Sequence, residues 1–237
     1  MDKLIAVIPA AGAGKRMGMG MNKAFVPVRE VPILVHCMKM LAETNLIARA
    51  IVVLAADEVA DGEKLLQSYS QKYFPQLPFC VVAGGKERQD SVANALAVIE
   101  EEHCYVAVHD GARPFAGREV FERTLAAAKK YGAAIAAVPV KNTIKVVDNN
   151  GKVVATPVRS SLQAVQTPQI FAVELLKKAY AYLKEHPAQV TDDASVVELL
   201  GKDVFVAQGR YENIKITTPE DLIFAENFLK RQEQENE

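Results

Sequence analysis

Five short apolar runs, Leu4–Ile8, Ala50–Leu54, Phe79–Val82, Tyr105–Val108 and Ala133–Val138, alternate with longer segments of helical spacing. The runs are apolar almost continuously rather than at every second residue, so each reads as a strand buried on both faces. The segments between them predict helices over about 32–43, 57–73, 88–102 and 118–131; in the last, Val120, Phe121, Leu125 and Ala128 recur at helical spacing. This strand–helix alternation predicts an α/β fold, a doubly wound and mostly parallel sheet with right-handed crossovers. In such sheets the loops leaving the carboxyl ends of the strands form the ligand crevice, which directs attention to the residues after each run.

The alternation breaks after Pro139. Thr143, Ile144, Lys145, Val146 and Val147 lead into Asp148-Asn149-Asn150-Gly151, and Lys152-Val153-Val154-Ala155 follows. Two short strands about an Asn-Gly turn predict a β-hairpin. It has no helix beside it in sequence, so residues 140–156 are expected to form an arm protruding from the main sheet. Helical patterns return at about 172–185 and 192–201, Val204–Ala207 reads as a last strand, and Thr218-Pro219-Glu220 opens a helix over 218–232. The 237 residues, half of them hydrophobic, suffice for one domain spanning 1–237.

Charge narrows the function classes. Lys and Arg number 28 against 29 for Asp and Glu, a net charge of −1. Such a balance carries no electrostatic footprint for nucleic acid or an anionic membrane surface, so any phosphate must be held by a few locally placed cations. Cys37, Cys80 and Cys104 show neither CxxC nor Cys/His ligand spacing and read as buried thiols. No apolar stretch is long enough to span a bilayer and the N-terminal residues fit no signal peptide, so a cytoplasmic protein is expected.

Four clusters carry chemistry. The first run ends in Pro9-Ala10-Ala11-Gly12-Ala13-Gly14-Lys15-Arg16-Met17-Gly18 and the chain then reaches Lys23. A Walker loop fails here because Lys15 is followed by Arg16 rather than Ser or Thr, and a dinucleotide fingerprint fails because Met17 replaces its third glycine. What remains is an extended glycine-rich loop with two or three cations, suited to a triphosphate; the competing reading is a surface loop with solvated charges. The second cluster, His109-Asp110-Gly111-Ala112-Arg113-Pro114, follows the fourth run. An acid at that edge is well placed for Mg²⁺, which takes one or two carboxylates plus phosphate oxygens. The alternative is a helix-capping Asp, although Gly117 is better placed to cap. His109 could be a base, but a packed, hydrogen-bonded imidazole is the more common outcome at a strand end. The third, Gly84-Gly85-Lys86-Glu87-Arg88-Gln89-Asp90-Ser91, could cradle a small ligand or be an ordinary strand-to-helix turn. In the fourth, Asn213-Ile214-Lys215-Ile216-Thr217-Thr218-Pro219, alternation sets Lys215 opposite its flanking isoleucines.

Taken in order from residue 4 to about 229, the segments PAAGAGKRMG…K, GG…R.DS, HDGARP, PVKNTIK, PVRSSLQAVQTPQIF, TDDAS and NIKITTPEDL resemble the 2-C-methyl-D-erythritol 4-phosphate cytidylyltransferase family. The resemblance implies a nucleotidyltransferase of Rossmann-like fold that joins CTP to 2-C-methyl-D-erythritol 4-phosphate. It would give 4-diphosphocytidyl-2-C-methyl-D-erythritol and pyrophosphate, in the non-mevalonate route to isoprenoid precursors, with Mg²⁺ or another divalent cation. It implies that Arg16 and Lys23 stabilise charge on the α-phosphate, and that Ala10, Ala11, Gly12, Gly14, Gly85 and Ser91 bind the nucleotide. Asp110 would meet the metal and the sugar phosphate, while Lys215, Arg113 and Thr191 place the acceptor. Thr143 and Arg159 would reach into a partner subunit's site, which implies a homodimer with swapped arms. Asn142 stands where the family usually has Asp, and Val158 precedes Arg159 where a polar residue is frequent; both departures fall at the arm and bear on acceptor recognition.

The residue types agree with that chemistry. A phosphate acceptor is mostly dianionic near neutral pH, so it needs no general base to become a nucleophile. Its difficulty is repulsion from the triphosphate, which a set of Arg and Lys with Asp and a metal addresses without a Ser/His/Asp or Cys/His constellation. The alternatives are a ribitol-5-phosphate cytidylyltransferase or other sugar-phosphate nucleotidyltransferase, relatives that share QTPQ and NIKITTP but more often begin Leu-Ala-Gly-Gly, and a nucleotide-binding regulatory protein without activity.

Overall fold

In the computed structural model, which describes residues 4–12 and 22–235, the apolar runs assemble side by side into one seven-stranded sheet. The elements are β1 (Leu4–Pro9), β2 (Pro27–Val28), β3 (Val31–Pro32), α1 (Ile33–Glu43), β4 (Ile47–Leu54), α2 (Val59–Tyr73), β5 (Phe79–Ala83) and α3 (Arg88–Ala97). There follow β6 (Tyr105–Val108), α4 (Arg118–Tyr131), β7 (Ala133–Pro139), β8 (Val146–Val147), β9 (Val153–Ala155) and β10 (Gln163–Ala172). The chain continues through α5 (Val173–Glu185), α6 (Asp193–Leu199), β11 (Phe205–Gln208) and α7 (Pro219–Glu235).

The sheet order is β11-β7-β10-β6-β1-β4-β5, with β10 antiparallel to both of its neighbours and the other pairs parallel. The lack of polar alternation in the runs is explained by two cores. Leu4, Ala6 and Ile8 of β1 join Ala50, Val52 and Leu54 of β4 under α1, α2 and α4. Ile5, Val7, Ile51 and Val53 face the other way, onto α3, α5 and α6. Each such Leu, Ile or Val side chain is worth roughly 1.5–3 kcal/mol when fully buried. A third cluster, including Val28, Ile33, Phe115, Ile216 and Ala225, seats α7 against the segment after β6.

Several sequence expectations are corrected. β10 was not foreseen: it is rich in Gln and holds Pro168, which argues against a central strand. The proline is tolerated because the β10–β7 register shifts between Val165 and Gln169, where the ladder is already interrupted. β5 and β11 lie at the sheet edges, so β5 is half-buried rather than buried on both faces, and Cys80 with it. β4 starts at Ile47, three residues before the apolar run. The helix expected over 88–102 ends at Ala97, ahead of a Glu-rich segment that reaches His103 at φ 56°. α6 stops at Leu199, before Gly201 at φ 72°.

The hairpin over 140–156 is present but slight. β8 and β9 pair antiparallel, and Asp148 Oδ1 accepts from the backbone N–H of Asn150 and of Lys152 to close the turn. Residues 141–156 are exposed throughout, including Val146, Val147, Val153 and Val154.

Candidate active site

The order β6-β1-β4 places β1 at the point where the chain reverses direction across the sheet, so the loops after β1 and β6 open a crevice at the carboxyl edge. Ala10 leaves β1 still bonded to β4, its N–H donating to the Val53 carbonyl at 2.8 Å. The far end of the glycine-rich loop is tied to the same point. The buried Asn22 donates from Nδ2 to the Ala10 carbonyl and to Glu58, both at 2.7 Å, and its Oδ1 caps the short turn Lys23–Phe25. Lys23 thereby lines a cavity of about 370 Å³ together with Ala10, Ala11 and Gly12. Gly14 and Arg16 lie outside the described residues.

The opposite wall is the turn after β5. Gly84 donates to the Leu54 carbonyl at 2.7 Å, and a Cβ there would stand 2.7 Å from Ser91 Oγ and 3.0 Å from Ala11 Cβ. Glycine is required by this close approach of two loops. Ser91 Oγ accepts from the Gly85 N–H at 3.2 Å, and Gly85 and Ser91 both line the cavity. The turn read from sequence as either cradle or connector is thus a wall of the crevice.

Asp110 lies on the floor. Its Oδ2 receives Lys215 Nζ at 3.0 Å and Arg113 Nε at 3.2 Å. Burial alone would raise its pKa, but Lys215, then Arg113 and Arg88, hold it well below the usual carboxylate range. His109 beside it is fully buried and is not a base facing the crevice, in agreement with the packed imidazole expected. Its Nε2 donates to the Arg113 carbonyl at 2.8 Å, which leaves Nδ1 to accept from Thr167 Oγ1 at 3.1 Å. The same hydroxyl accepts from the Asp110 N–H at 3.0 Å, so one neutral imidazole fixes the acid, the arginine loop and β10 together. Burial, above all, lowers the His109 pKa to about 4.

A second cavity of about 330 Å³ lies across Asp110, lined by Arg113, Gln166, Gln169, Thr191 and Asp192 among others. Arg88, Asp110 and Lys215 line both cavities, so they form the seam between them. Asp192 caps α6 and accepts from Gln169 Nε2 at 2.7 Å; Asp193 is completely buried and accepts from Arg88 Nη2 at 2.6 Å. Motif reading placed no role on Asn22, Arg88, Gln166 or Gln169. The signal it passed over was polar residues inside an otherwise apolar run, at 166–169. Thr143 and Arg159, also named from sequence, are exposed on and beside the arm and line neither cavity; Arg159 Nη1 donates to the Lys141 carbonyl.

Among the described residues no three His, Cys, Asp or Glu converge as a metal site. The ionised Asp110 still fits an ion of the Mg²⁺ kind, which needs one or two carboxylates and fills its shell with substrate phosphate oxygens and water.

A sequence model of the family 2-C-methyl-D-erythritol 4-phosphate cytidylyltransferase matches residues 4–231. The chain belongs to this cytidylyltransferase family. It is 49% identical over 223 residues to the enzyme of that name from Bacillus cereus, covering 94% of this chain and 96% of that one. The relative from Alkaliphilus oremlandii is 44% identical over 230 residues, 97% of this chain and 96% of its own. Among solved structures, 4-diphosphocytidyl-2C-methyl-D-erythritol synthase from Anaerococcus prevotii superimposes with a TM-score of 0.82 at 31% identity, covering 97% of this chain and 99% of that one. Membership of the cytidylyltransferase family accounts for the nucleotidyltransferase architecture and for the order of the seven motifs along the chain.

Proposed function

We propose that this chain transfers the cytidylyl group of CTP to 2-C-methyl-D-erythritol 4-phosphate, releasing pyrophosphate and forming 4-diphosphocytidyl-2-C-methyl-D-erythritol for isoprenoid synthesis by the non-mevalonate route. The observation that carries the reading is the seam: two cavities meet at one ionised carboxylate, Asp110, flanked by Lys215, Arg113 and Arg88. A crevice of that form suits two polyanions brought end to end.

Backbone groups of Ala10, Ala11, Gly12, Gly14 and Gly85, with the Ser91 hydroxyl, hold the nucleotide in the first cavity. Arg16 and Lys23 balance the charge that spreads over the α-phosphate as the acceptor oxygen approaches. Lys215, Arg113 and Thr191 fix the acceptor phosphate, and Asp110 orients both cations. The dianionic acceptor attacks the α-phosphorus in line, the bond to the β,γ-diphosphate breaks, and pyrophosphate leaves; no protein group takes up a proton. Positioning and charge neutralisation supply the acceleration. A divalent ion bound at Asp110 would add further neutralisation of phosphate charge.

The exposed valines of the arm, with Thr143 and Arg159 standing apart from their own cavities, support a homodimer in which each arm completes the partner's acceptor site. The whole chain then acts as a single domain with its arm in the dimer interface. Among the described residues no helix is long and apolar enough to cross a membrane. The water-soluble substrates support a cytoplasmic location.

The test is pyrophosphate release by purified protein with CTP, Mg²⁺ and competing acceptors. The methylerythritol phosphate is expected to exceed ribitol 5-phosphate in kcat/KM by at least about 100-fold, as for a site whose polar groups match one substrate. The reverse preference would move the chain to the ribitol phosphate reading, and no release with any acceptor would favour a binding protein.

A further inference from the structure

Asp193 is the most deeply enclosed acid of the site region, at 0% exposure, yet it touches neither cavity directly. Its Oδ2 takes Arg88 Nη2 at 2.6 Å and its Oδ1 takes the Tyr180 hydroxyl at 2.7 Å. Its own backbone N–H, and that of Ala194, donate to Gln169 Oε1 at 3.1 and 3.0 Å. Gln169 is itself pinned through Nε2 to Asp192. Both carboxylate oxygens are thus bonded, one of them to the Arg88 guanidinium, and the backbone that carries the carboxylate is tied to β10 through Gln169. Arg88 begins α3, and its side chain, one-third exposed, reaches the seam that both cavities share.

A buried ion pair contributes little net stability, because desolvating both charges offsets their attraction. Its consequence here is geometric. A free arginine carries many rotamers, and losing a placement of about 1 Å can cost on the order of 100-fold in rate. We propose that Asp193, braced by Tyr180 and Gln169, is a positioning residue that aims Arg88 at the seam between the two cavities, making Arg88 a further phosphate-directed cation of the transfer site. The inference rests on the cytidylyl-transfer reading. Burial opposes the charge on Arg88, but Asp193 more than compensates and holds its pKa above the ordinary arginine value.

The experiment compares kcat and KM for both substrates in wild type, Asp193→Asn, Arg88→Ala and the double variant, each with its Tm. A second arm adds guanidinium ion at tens of millimolar to Arg88→Ala. The expected results are a loss of about 100-fold in kcat for Asp193→Asn, with KM for CTP within about threefold of wild type. Arg88→Ala should lose at least as much. The double variant should be no worse than Arg88→Ala alone, because a positioning residue has nothing left to position. Guanidinium should restore at least tenfold to Arg88→Ala but nothing to the double variant. An additive cycle, or no rescue of Arg88→Ala, overturns the proposal. If Asp193→Asn fails to fold, Tyr180→Phe, which removes one brace and leaves the carboxylate, takes its place: kcat should fall with KM for CTP held, and an unchanged kcat overturns the proposal. Wild-type protein that turns over no acceptor at all would instead refute the transfer reading, before either variant is compared.

Discussion

The ammonium of Lys215 lies 3.0 Å from Asp110 Oδ2, and the residue that follows it, Ile216, is fully buried in the third core cluster. The Ile216 N–H donates to the Ala112 carbonyl at 2.8 Å, two residues beyond Asp110. Packing of an isoleucine thus delivers a lysine to an acid that comes from a distant part of the chain. The pair is tight but not sealed, since the Lys215 side chain is 34% exposed and faces both cavities. Charge at the seam is therefore available to a substrate.

Asp110→Asn keeps the shape and removes the charge that orients Lys215 and Arg113. Turnover should fall by at least about 100-fold, the scale of losing one preorganised electrostatic group. CTP binding without metal should hold or tighten, because a repulsive carboxylate near the triphosphate is gone. Titration calorimetry of CTP with and without Mg²⁺ reads both effects. A variant with full metal-dependent turnover would make Asp110 a structural acid only. Asp192 and Asp193 are poor substitutes, since Asp192 caps α6 and Asp193 holds Arg88.

His109 gives a stability prediction. Its folded pKa, about 4, lies below the ordinary imidazole value, so the unfolded chain binds the extra proton first as pH falls. The neutral imidazole's contribution is complete above about pH 6.5 and is lost progressively as pH falls toward 4 and below, amounting to about 3 kcal/mol in all. Urea unfolding at pH 7, 5.5 and 4.5 should show a steeper acid loss for wild type than for His109→Asn. Parallel pH profiles would mean that His109 titrates normally in the fold.

The parallel part of the sheet was legible in sequence because strands such as β1 and β4 bury both faces and admit almost no polar residue. β10 was hidden by the same logic. Gln166, Thr167 and Gln169 serve the crevice and its backing network, so a strand at the centre of the sheet looks like a loop. Among site residues, Asp110 and Lys215 stood out as a charge after a buried strand and a charge between isoleucines. Asn22 and Asp193 act on loops and side chains far from them in sequence, and no local pattern signals such partners. Thr143 and Arg159 could be named only through family resemblance, because both are exposed and line neither cavity.

The arm gives a third prediction. Arg159→Met should raise KM for the sugar phosphate well above any change in KM for CTP. Mixed with Lys23→Ala protein under conditions of proven subunit exchange, it should regain activity, because one site of the mixed dimer collects both lesions and the other collects neither. Steady-state assays before and after mixing check this. Activity that stays at the level of the parent variants would place Arg159 in its own subunit's site or outside any site.

The central claim is direct displacement: the acceptor phosphate in one cavity attacks the α-phosphorus of CTP in the other, across the seam at Asp110, with no covalent enzyme intermediate. A single in-line displacement inverts the phosphorus, and a double displacement through a protein nucleophile retains it. The decisive measurement uses one diastereomer of CTP bearing sulfur on the α-phosphate, with the product's configuration read by ³¹P NMR. The account predicts inversion at the α-phosphorus. Retention would contradict it and require a nucleophilic side chain in the crevice.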